Sequence, residues 1–267
     1  MHARDVRFRR GAAWTPSGPK SESAVHQPVE NLEKPRKFYK SVDVAPAAVG
    51  FSILLDGRSP KSPGGQKLEA PTEALAELIA AEWRAQDQVI DMATMPLTRL
   101  AYTALDGIAA AREATAETLA AYAGTDLVCY FAEGPSALVE RQEIHWSPLL
   151  DWADTELGVA LARTQGILHH RQPDESLARA KALALEADDF RLAGLAFGAA
   201  LFGSTILTLA LERGRLTGAQ AFALSRLDEA FQEEQWGIDE EAAQRTAALA
   251  LEADRLEAWF RALDGGL

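Results

Sequence analysis

The chain changes its hydrophobic rhythm several times. Residues 1–34 show no sustained alternation and read as a flexible arm. From Phe38 the pattern becomes strand-like. Phe38–Val44 and Phe51–Leu55 are short β-type runs separated by Pro and Gly, Asp56-Gly57 is a hairpin-turn dipeptide, and Gly64-Gly65 turns the chain again into Lys67-Leu68-Glu69. This predicts a small antiparallel meander. Pro71 then stands where a helix opens. Leu75, Leu78, Ile79, Glu82 and Trp83 follow the helical interval, which sets Trp83 on or beside the apolar stripe, with core packing as its expected role. Further helices are predicted over Pro96–Leu105 and Ile108–Tyr122, followed by an apolar strand over Leu127–Phe131.

Gly134-Pro135 marks a boundary, beyond which helical spacing dominates. Helices are expected over Ser136–His145, Pro148–Leu157 with Ser147 as cap, Asp174–Glu186, Asp189–Arg213, Ala219–Trp236 and Glu240–Leu263, with a loop or short strand within Val159–Leu168. Thr217–Gln220 matches a capping box, and Gly237 sits where a helix-ending glycine belongs. The expected fold is α+β: a basic arm (1–34), a small strand-helix layer domain (35–134), and an all-α orthogonal helical bundle (135–267).

Composition supports a globular body of 267 residues, 48% apolar and 25% charged. The net charge of −12 is uneven: residues 1–40 hold nine Lys/Arg against four Asp/Glu, leaving 18 against 35 for the rest. An acidic body argues against nucleic acid as the main partner and suits a basic protein partner or simple solubility. The one cysteine, Cys129, excludes an internal disulfide; in its apolar run a buried, inert thiol is expected. No apolar core of a secretory signal follows the early arginines. A single asparagine among many Ala, Arg and Leu points to a bacterial cytoplasm, with a mitochondrial matrix as the alternative.

Leu192–Leu211 is twenty residues without a charge, long enough for a membrane span. Its glycines, serine and threonines and its flanking Arg191, Glu212 and Arg213 favour a helix at the centre of a bundle. A membrane anchor is one rival reading. No catalytic motif in the chain is complete. Gly198–Thr205 has the glycines of a phosphate loop but no lysine, and stands inside a helical run. His169-His170 has no third ligand nearby, and no HExxH is present. Expected catalytic, cofactor and metal residues are therefore none. A carboxylate or histidine metal enzyme, built on Glu229/Glu233 or His169-His170, is the other rival.

The most unusual segment is Ser225–Glu241, with seven carboxylates and one Arg. Asp239, Glu240 and Glu241 suit the start of the next helix. Asp228, Glu229, Glu233 and Glu234 lie within a helix whose apolar stripe is Ala223, Leu224, Leu227 and Phe231. On pattern alone they read as a solvated face.

Ser225-Arg226-Leu227-Asp228-Glu229, with Gln232 and Gln235-Trp236-Gly237, resembles the carboxy-terminal signature of the F1-ATPase assembly chaperones that bind the alpha subunit. Other blocks agree in the same order: Arg36–Lys40, Ala81-Glu82-Trp83, Met95–Thr98, Gly124–Tyr130 and Trp146–Ala153. The likeness covers about residues 36–250. The family commonly has Glu where this chain has Asp228, and the arm has no counterpart. The resemblance implies a soluble protein without catalysis, expected to be monomeric, that binds free alpha subunit until the beta subunit replaces it. It also nominates Asp228, Glu229, Gln232, Glu233 and Trp236 as the partner-binding residues.

Overall fold

The computed structural model describes residues 34–166, 168–237 and 239–265, so the expected arm lies outside the described residues except for Lys34. The meander forms as an antiparallel sheet of β1 (Val42–Pro46), β2 (Phe51–Leu55) and β3 (Glu69–Ala70), in that order. Val44 pairs with Ile53 and Val42 with Leu55. Asp56-Gly57 makes the tight turn its sequence predicts. Both residues have positive φ (48° and 79°), and Leu55 and Arg58 exchange backbone hydrogen bonds of 2.8 and 3.0 Å across it. The Asp56 carboxylate then accepts the amides of Lys40 and Ser41, which hold it below the usual carboxylate range.

Helix α1 (Glu73–Arg84) lies on β1 and β2, burying Leu75, Ile79 and Trp83. Its cap is Thr72, whose Oγ1 accepts the Leu75 amide, so Pro71 stands one residue before the cap and not at the first helical position. Helix α2 (Pro96–Thr103) runs through a π-type turn, Ala104–Ile108, into α3 (Ala109–Gly124). The expected strand Leu127–Phe131 is mostly a 3-10 turn over Leu127–Cys129. Asp126 accepts the Val128 amide and bends the chain, leaving only β4 (Tyr130–Phe131) extended. Strand β4 pairs in parallel with β5 (Thr164–Gln165).

Three expected helix boundaries differ in an instructive way. Ser136–His145 and Pro148–Leu157 are one helix, α4 (Ser136–Trp152), followed by a π-type turn to Leu157. Ser147 does not cap; its hydroxyl donates to Glu143. Pro148 deprives the Ile144 carbonyl of its helical donor, yet both residues are exposed, so the carbonyl is not required to find a partner within the chain. After α5 (Asp174–Glu186), the long apolar run splits into α6 (Asp189–Phe202) and α7 (Thr205–Glu212). Gly203 takes a left-handed conformation (φ 61°), and Ser204 caps α7 through the Leu207 amide at 3.0 Å. The third difference is a second split, at Arg226 (φ −119°), between α8 (Gly218–Ser225) and α9 (Leu227–Trp236). Thr217 and Gln220 complete the capping box, and Asp239 caps α10 (Glu240–Leu263).

No helix among the described residues is long and apolar enough to cross a membrane. Instead α6 and α7 are enclosed by α3, α8 and α10. Glycines make that approach possible: a Cβ on Gly194 would meet Phe260 at 2.8 Å, and one on Gly198 would meet Thr208 at 2.7 Å. One buried cluster runs from Tyr39 through Trp146 and Phe202 to Trp259 and Ala262. Beyond residue 134 the chain is helical apart from its loops and β5, consistent with the α+β class.

Candidate partner-binding site

Helix α9 buries only Leu227 fully and is fastened to α4 by side chains. Trp146, itself buried, donates its Nε1 to the Leu224 carbonyl at 3.1 Å, just before α9 begins. Arg141 forks onto Glu234 at 2.7 and 2.9 Å, with its guanidinium 5.2 Å from the centre of the Phe231 ring. That bond holds the Glu234 carboxyl below its ordinary range. Arg226 turns to Glu233 at 2.7 Å. Asp228 accepts a 2.7 Å bond from Nε2 of Gln142, whose Oε1 takes the Ala132 amide at 2.8 Å. Burial pushes the Asp228 carboxyl up; the Gln142 bond opposes this, and the neighbouring Glu229 charge adds to it.

The five nominated residues therefore separate into two sets. Asp228 and Glu233 are half-buried and engaged within the chain. Glu229, Gln232 and Trp236 are exposed, and their spacing of three and four places them on one outward stripe of α9. Trp236 is 81% exposed, which is unusual for so large an apolar side chain. Sequence reasoning missed Arg141 and Gln142. A signal for Gln142 existed: Leu138, Gln142 and Trp146 share one face of α4 at intervals of four, so a polar side chain interrupts a buried stripe.

Trp83 lies elsewhere, in the amino-terminal layer. It is 4% exposed, its ring meets Tyr39 edge-on at 5.8 Å, and the Tyr39 hydroxyl donates to its carbonyl at 2.6 Å. Its Nε1 has no hydrogen-bond partner among the described residues. Next to it, Glu82 reaches the first turn of α2.

At the rival sites, His145, His169 and His170 are exposed, and among the described residues no three His, Cys, Asp or Glu side chains converge as a metal site. The phosphate-loop-like stretch spans the α6–α7 break, where Thr208 and Leu256 fill the space against Gly198. Cys129 is buried, and burial raises its thiol far above the usual range.

Comparison with known proteins agrees with this architecture. The ATP12 chaperone protein family profile matches residues 36–154. The mitochondrial protein atp12 of Schizosaccharomyces pombe is 29% identical over 220 residues, covering 78% of this chain and 75% of that protein. The crystal structure of Atp12 from Paracoccus denitrificans is similar at a TM-score of 0.79 with 43% identity, covering 85% of this chain and 97% of that one. An aspartate-to-lysine variant of the P. denitrificans protein gives 0.80 and 42%, covering 86% and 98%. The likenesses define the class, an assembly chaperone of the F1-ATPase, as the ordered sequence blocks implied. Within it, this chain belongs to the ATP12 chaperone family.

Proposed function

We propose that this chaperone binds the free alpha subunit of F1, covers the interface it will later share, and yields it to the beta subunit. It does so as a binding protein without catalysis, working as a monomer in a bacterial cytoplasm. A subunit built for a ring exposes apolar surface before assembly, and such surface aggregates. Release needs no nucleotide hydrolysis by the chaperone if the beta subunit binds the same surface more tightly.

The observation that carries the reading is the outward stripe Glu229, Gln232 and Trp236 on a helix joined to α4 by side-chain hydrogen bonds. An exposed indole beside carboxylates joins a large apolar contact to a charge that guides encounter. The test is alpha-subunit binding and suppression of its aggregation by Trp236→Ala and Glu229→Lys, with helicity checked by circular dichroism. Trp236→Ala is expected to weaken binding by about tenfold or more. Wild-type binding and protection by both variants would remove α9 from the contact.

A further inference from the structure

Helices α4 and α8 enclose a groove of about 570 Å³, with Ile144, Pro148, Leu149, Leu216 and Leu224 among its walls. A groove of this size admits the side chains of a docked segment. Ile144 at its lip is 59% exposed, so the apolar surface continues outward from the groove. Pro148 also leaves the Ile144 carbonyl without its usual helical amide, which gives the same wall a backbone acceptor.

The charge of the groove is opposite to that of the chain. The protein has 39 Asp and Glu against 27 Lys and Arg, yet no carboxylate lines this groove. Its permanently charged residue is Arg215, which forms no ion pair among the described residues. The guanidinium lies 5.4 Å from the centre of the Trp152 ring, and Trp152 is itself buried. Stacking uses the face of a guanidinium and leaves its in-plane N–H donors for a carboxylate. The backbone beneath is fixed as well. The amides of Arg215 and Leu216 both bond to the Ala210 carbonyl, at 2.8 and 3.1 Å, and Gly214 takes the positive φ of 68° that this turn requires. A cation held in this way loses little freedom when a ligand arrives.

The groove also adjoins α9. Arg141, Ile144 and Pro148 follow at intervals of three and four along one face of α4. Arg141 is bonded to Glu234 of α9, so the groove opens beside the helix that carries the outward stripe.

We propose that the α4–α8 groove receives a segment of the F1 alpha subunit in which an apolar side chain stands close to a carboxylate. The apolar side chain packs against Ile144 and Leu149, and the carboxylate pairs with Arg215. This rests on the alpha-subunit reading above and adds a second contact of opposite charge to the acidic stripe of α9. The full chain is titrated with purified alpha subunit at stepped NaCl concentrations, with Trp236→Ala alongside. Ile144→Asp and Arg215→Glu change exposed side chains, and circular dichroism should show the wild-type fold in both. Each is expected to bind about tenfold or more weakly. Arg215→Ala should also flatten the dependence on salt, and Arg215→Lys should restore part of the affinity and the slope. Wild-type affinity in either Ile144→Asp or Arg215→Glu would overturn this inference and leave the alpha-subunit reading standing. Absence of any complex with the wild-type chain would overturn both.

Discussion

Glu82 and Thr98 are joined twice, one carboxylate oxygen accepting both the Thr98 amide at 2.8 Å and its hydroxyl at 2.7 Å. The other oxygen takes the Leu97 amide at 2.8 Å. Helix α2 opens with Pro96, and Met95 gives it no side-chain cap, so a residue of α1 caps it from outside. Two of the sequence blocks that carry the family resemblance, Ala81-Glu82-Trp83 and Met95–Thr98, are one structural unit.

Removing that carboxylate leaves amide donors at the buried start of α2 unpaired. Glu82→Ala is expected to lower stability by about 2–4 kcal/mol. Urea denaturation measures the loss, and hydrogen exchange should show it first at Leu97 and Thr98.

Trp83 packs, and its indole N–H is unpartnered among the described residues. Trp83→Ala should cost about 3–5 kcal/mol through the cavity it leaves. Trp83→Phe should cost much less, because no hydrogen bond is given up. Equal losses in the two variants, read from denaturation midpoints, would contradict the packing account.

Asp126 is fully buried where α3 turns towards β4, and accepts the amides of Val128 and Ile206. Burial raises its carboxyl from 3.8 to about 6, against the hydrogen bonds from Ser204 and the backbone amides. The folded chain therefore holds this proton more tightly than the unfolded chain does. The stabilisation is full below 3.8 and is lost as pH rises through about 6. The Asp126 carboxyl carbon should titrate with a midpoint near 6 by NMR. Relative to Asp126→Asn, the wild-type unfolding free energy should fall between pH 4 and pH 7.

Gly218 opens α8 directly over α10. A Cβ there would lie 2.4 Å from the Ala253 carbonyl oxygen, a backbone atom with no freedom to swing away. Gly218→Ala should lower stability by about 2 kcal/mol or more by separating the two helices. Gly107→Ala, where nothing lies within 4 Å of the added carbon, is the control and should be close to neutral. Thermal melts of the pair test both.

Features written in neighbouring residues were legible before the structure. The Asp56-Gly57 turn, the Thr217 capping box and the Asp239 cap each depend on contacts within about four residues. Breaks at Gly203-Ser204 and Arg226 were not, because the residues on both sides keep helical spacing and tertiary packing selects the kink. Ser147-Pro148 misled in the opposite direction: it reads as a helix start, but the carbonyl that Pro148 frees lies on an exposed face. The candidate site divides in the same way. Its acidic residues stand out in sequence, whereas Arg141 and Gln142 meet Glu234 and Asp228 across separations of 93 and 86 residues.

The cap of α1 also depends on α10. Thr72, which caps α1, donates its hydroxyl to the Ala262 carbonyl at 2.7 Å across 190 residues, and α1 packs on α10. On the ribosome, residue 72 leaves the exit tunnel long before residue 262 is made. The amino-terminal layer therefore waits, with the face that packs on α10 uncovered, until α10 itself has been made. Helix α1 thus begins its life with an open face, and truncation before Ala262 should be felt at Thr72, 190 residues away.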